Sequence, residues 1–79
     1  MDPRRRQILL EAAIDDLDVA LAGYACAKQS MEATLTLYGR GGTITALMQA
    51  HDRLKFAECR VQTVEDVVRL LRGPALLAN

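Results

Sequence analysis

His51 is the only histidine of the chain, within the stretch Ala50-His51-Asp52-Arg53-Leu54-Lys55. An imidazole with a lysine four residues on can carry a phosphoryl group or move a proton, if both share a helix face. Two cysteines, Cys26 and Cys59, add thiols. With His51 they raise the question of a metal, yet no Cys-x-x-Cys and no His-x-x-x-His supplies ligands at binding spacing. The thiols therefore read as small buried or half-buried groups. Asp15, Asp16 and Asp18, with Glu65 and Asp66, suggest an acidic collar. Carboxylates do acid–base work in a cleft that shifts their pKa, and a pair of helices offers none. Gly41-Gly42 resembles the start of a phosphate-cradling loop, but no Gly-Lys-Ser/Thr follows and no strand pattern precedes it. No catalytic, cofactor-binding or metal-ligating residue is assigned. The chain reads as a non-enzyme without a cofactor.

Two helices must position these residues. Asp2 is an N-cap acceptor and Pro3 fits the first helical position, so a helix is expected over about 3–38. Its apolar stripe runs Leu10, Ile14, Leu17, Leu21, Tyr24, Met31, Leu35 and Tyr38, the a and d positions of a heptad, with Lys28 at the polar a site. The neighbouring g positions are small: Ala13, Ala20, Ala27 and Thr34. Gly39-Arg40-Gly41-Gly42 reverses the chain at residues 39–42. Thr43 is the next N-cap, opening a second helix over about 44–72. There Leu47, Leu54, Val61 and Val68 fall at a, and Ala50, Ala57, Val64 and Leu71 at d. Gly73-Pro74 should end it, leaving a short tail over 73–79.

The fold class expected is all-α: one domain over 1–79, an antiparallel, coiled-coil-like two-helix hairpin. A reversal at residues 40–41 sets Met31 and Tyr24 opposite Ala50 and Ala57, large against small, as interdigitated packing requires. One seam does not use all the apolar residues. Of 79 residues, 51% are hydrophobic, whereas a chain this short buries only about 60% of its unfolded surface. Ile8, Leu9, Val19, Phe56, Cys59, Val67 and Leu70 lie off the seam and are the candidate partner-binding residues. The expected occupant is a second copy, in a four-helix-bundle homodimer, or a different protein.

Ten basic and ten acidic side chains balance to zero, so no global field steers the chain toward nucleic acid. The halves differ: residues 1–38 hold four basic and six acidic groups, and residues 39–79 hold six and four. Arg4, Arg5 and Arg6 open the first helix, where cations are disfavoured, and the hairpin brings them toward Arg69 and Arg72. This arginine tip could hold a phosphate backbone, which makes a nucleic-acid-binding helical dimer the alternative reading. No apolar run approaches the roughly 18 residues of a membrane span. Acidic residues from Glu11 onward interrupt any signal-peptide pattern. A cytoplasmic protein with reduced thiols is expected.

The residues around His51 faintly resemble the phosphorylatable stretch of histidine phosphotransfer domains. Here the leucine and lysine come one residue late and Phe56 replaces the family's glycine. A slip of one residue turns the lysine about 100° around the helix. In size and plan the chain is similar to the small co-chaperones of type III secretion needles, which also join two amphipathic helices by a glycine-containing turn. It shares that plan with plasmid-copy RNA-binding hairpins and viral RNA-silencing suppressors, whose basic helical face it lacks. Phage-encoded inhibitors of host machinery are another class of such small chains. These resemblances carry no residues over. They imply an adaptor, chaperone-like protein, regulator or inhibitor that works by contact.

Overall fold

The computed structural model describes residues 2–77, with side chains through Gly73. Helix α1 spans Pro3–Gly39 and helix α2 spans Ile44–Leu77; they pack against each other as an all-α hairpin. Each start is capped by a neighbouring side chain. Asp2 accepts a hydrogen bond from the Arg4 amide at 3.1 Å, with proline in the first turn. Thr43 Oγ1 accepts one from the Ala46 amide at 3.2 Å. Both satisfy a donor that the helix itself leaves unpaired.

The turn ends α1 by a Schellman motif. The Gly42 amide donates to the Leu37 carbonyl at 2.8 Å and the Gly41 amide to the Tyr38 carbonyl at 3.1 Å. That pattern needs a left-handed residue between them, and Gly41 takes it with φ +102°. Gly42 is required for a different reason. A Cβ there would lie 2.9 Å from the Leu37 carbonyl carbon and oxygen. Chain reversal therefore rests on two glycines with separate duties.

The second helix does not stop where expected. α2 continues through Gly73 and Pro74 to Leu77, so 73–77 is helix rather than tail. Gly73 is not left-handed, so it cannot act as the cap that ends a helix. Proline removes one backbone bond, to the Leu70 carbonyl, without reversing the chain. The Ala75-Leu76-Leu77 run that follows is strongly helix-favouring.

The seam also differs on α1. Among the described residues the buried side chains are Ala13, Ala20, Ala50 and Val68. Leu10, Leu17, Tyr24 and Met31 are half-buried at d, but Leu21 and Leu35 at a are exposed, as is Tyr38. α1 thus turns its g and d positions to α2, a rotation of about 50° from the a/d stripe. Two physical reasons agree. An a/d seam would draw the Lys28 ammonium into an apolar interface without a partner, a costly burial. The alanines at g allow the backbones to approach closely, multiplying weak contacts. α2 keeps its a/d seam: Leu47, Leu54, Ala57, Val61, Val64 and Leu71 are half-buried beside Ala50 and Val68.

Candidate interaction surface

Among the described residues, every side-chain hydrogen bond and ion pair joins groups no more than four residues apart. Lys55 meets Glu58 at 3.4 Å, Arg69 meets Asp66 at 3.5 Å, Gln7 meets Glu11 at 3.1 Å and Gln62 meets Asp66 at 3.1 Å. Thr34, half-buried near the turn, returns its hydroxyl to the Ser30 carbonyl at 2.7 Å. No polar contact of these residues bridges the helices. The hairpin is held by apolar contact and its turn, and its charges point outward.

His51 is one of those outward groups. It lies on α2 with its Nδ1 4.0 Å from Asp52, and its side chain is about half exposed. Lys55, one turn on, directs its ammonium to Glu58 rather than toward the imidazole. Cys26 and Cys59 are free and exposed, which corrects the expectation of buried thiols. Both occupy f positions, far from the seam of their own helix. Among the described residues, no three His, Cys, Asp or Glu side chains form a group able to hold a metal.

A two-helix hairpin has two flanks. One carries two shallow grooves. Near the turn, Met31 faces Ile44, Leu47, Met48, His51 and Asp52. Toward the open end, Leu17 faces Glu65, Val68, Arg69 and Arg72. These groupings are the ones a reversal at residues 40–41 requires. They lie along the e and b positions of α2, which are largely charged or polar.

The opposite flank has a different composition. On α2 the g and c positions bring Arg53, Phe56, Arg60, Val67 and Leu70 to this side. Antiparallel packing sets the c positions of α1 beside them: Leu9, Asp16, Gly23, Ser30 and Leu37. Phe56 and Leu70 are 73% and 72% exposed, the most exposed of the large apolar side chains among the described residues. The charges here are Arg53 and Arg60 on α2 and the single Asp16 on α1.

Of the seven candidate partner-binding residues, Leu9, Phe56, Val67 and Leu70 share this flank. Ile8, Val19 and Cys59 point to the outer backs of the helices, and all seven are exposed. Leu21, Leu35, Tyr38 and Ile44 join the exposed apolar set and were not singled out by sequence. The signal that could have found the first two was Lys28, which disfavours the a stripe as a seam.

Arg4 and Arg5 are exposed and Arg6 is half-buried. Arg69 is tied to Asp66, and Arg72 lies five residues, about 8 Å, before the end of α2. No helix of the described residues is long and apolar enough to cross a membrane. The architecture places the chain in the class of all-α helical hairpins. No known protein family, curated protein or solved structure matches it.

Proposed function

We propose that this protein is a non-enzymatic interaction module, a helical hairpin whose apolar flank is covered by another polypeptide in its working state. The observation that carries the reading is surface area. The chain exposes 6091 Å², whereas a compact protein of its mass exposes about 4,700 Å². The excess of about 1,400 Å² exceeds the roughly 800 Å² a standard interface buries per partner and falls in the range of permanent ones. Much of it is apolar side chain held on rigid helices, where contact needs little further ordering. On this reading the protein is an adaptor, regulator or chaperone-like protein that acts by being bound.

The test is the behaviour of the purified chain alone. An uncovered flank predicts either self-association or a monomer that binds an apolar-surface dye and melts over a broad range. A monodisperse monomer with a sharp, concentration-independent thermal transition and no dye binding overturns the proposal.

A further inference from the structure

We infer that the grooved flank takes a third helix from a partner protein, an amphipathic helix of about three heptads whose basic edge lies along α1. The inference rests on the interaction reading above, extends it to this flank and names the partner's chemistry. Two observations carry it: the rotation of the α1 seam and the charge along its rim.

α1 meets α2 through g and d, which leaves its a row on the grooved flank. Ile14 is half-buried in that row, whereas Leu21 and Leu35 are 44% and 49% exposed. From Ile14 to Leu35 the row covers about three heptads, roughly 32 Å of helix. Ile44 and Met48 line the α2 side of the groove near the turn, with Met31 facing them. A row repeating every seven residues matches the side chains of another helix. An extended strand, with its period of two, does not follow it.

Charge specifies the edge of that helix. Outside the a row runs the e row of Glu11, Asp18, Ala25 and Glu32, all exposed. Among the described residues, none of its three carboxylates takes part in an ion pair. Arg4 shares this phase but lies before the apolar stretch begins. The α2 rim differs, because its cations are met within their own helix. Lys55 lies 3.4 Å from Glu58, and Arg69 lies 3.5 Å from Asp66. The unmet charge is therefore negative and runs along α1, at the positions by which coiled coils select partners. A second copy packed α1 on α1 would set carboxylates against carboxylates. Lys28, the polar member of the a row, stands one turn before Glu32. Its stem can lie under a covering helix while the ammonium stays in water at the rim, an escape that the seam with α2 does not offer.

The probes are two synthetic peptides of three heptads, with leucine at a and d and glutamine along one edge. The other edge is lysine in one peptide and glutamate in the second. Fluorescence anisotropy should show the lysine peptide binding the purified chain about tenfold more tightly than the glutamate peptide, from three edge pairs of ordinary strength. Sodium chloride should weaken that binding. Asp18→Lys with Glu32→Lys should reverse the preference, a gain for the glutamate peptide that an unfolded chain cannot show. Leu21→Ala with Leu35→Ala should weaken binding of the lysine peptide by about tenfold or more. Phe56→Ser with Leu70→Ser, on the opposite flank, should leave it unchanged. No binding of the lysine peptide, or a preference that the charge reversal does not move, overturns the inference and leaves the interaction reading to the opposite flank. A chain that dimerises alone and turns monomeric with Leu21→Ala and Leu35→Ala also overturns it, since a second copy is then the occupant. A well-folded monomer that binds neither dye nor peptide overturns both.

Discussion

Three glycines within four residues look interchangeable on paper, and the geometry separates them. Gly41 is left-handed at φ +102°, a conformation that costs an L side chain about 1 kcal/mol or more. Gly41→Ala should lower stability by about that amount in urea unfolding. Gly42→Ala should also destabilise, because its methyl would meet the Leu37 backbone at 2.9 Å and backbone cannot step aside. Gly39 has ordinary helical geometry and open space around it. Gly39→Ala should therefore raise the unfolding midpoint, by about 0.5–1 kcal/mol of helix propensity. Opposite signs at neighbouring glycines follow from one hydrogen-bond pattern. The glycine-rich turn was legible in the sequence, but the division of labour within it was not. Which residue turns left-handed depends on where α1 releases its last carbonyls.

At the scale of the element, the helix starts were readable because a cap is a local event. Asp2 and Thr43 each need only a side-chain oxygen and an amide two or three residues on. The α2 end was not readable, since Gly73-Pro74 stops a helix only when the glycine turns left-handed. The seam was half readable. Periodicity locates an apolar stripe on one helix, whereas burial belongs to a pair, and the partner drew α1 toward Ala13 and Ala20. This gives a pair of substitutions with contrasting outcomes. Ala20 is 3% exposed, inside the seam. Ala20→Leu forces the helices apart and should cost about 1–3 kcal/mol, read as a lower thermal midpoint. Leu21, one residue on, is 44% exposed, so Leu21→Ala should leave the midpoint nearly unchanged. An a/d seam would reverse that order. The exposed apolar surface was affected by the same rotation: Phe56, Val67 and Leu70 are exposed as expected because α2 kept its stripe. Leu21 and Leu35 were missed because α1 did not.

The whole molecule is long and thin, 57 × 22 × 14 Å, with a radius of gyration of 17.5 Å. A compact chain of this length has a radius of about 12 Å. Among the described residues the buried apolar core consists of three alanines and a valine, with no large side chain fully buried. Thin proteins of this kind gain stability chiefly from what covers them, and coverage by a second copy obeys mass action. The thermal midpoint should then rise with concentration. Tenfold more protein adds about 1.4 kcal/mol to the dimer, which shifts the melting of two 79-residue chains by about 3–5 °C. Salt adds a second axis to the same experiment. If opposite charges meet across the interface, raising ionic strength screens them and lowers the midpoint of the dimer. A purely apolar association would hold or gain with kosmotropic salt. Melting curves over a hundredfold range of concentration, repeated at low and high sodium chloride, therefore separate three states. A midpoint independent of both variables belongs to a self-sufficient hairpin. One that depends on concentration alone belongs to an apolar dimer. Dependence on both belongs to an association held in part by opposite charges.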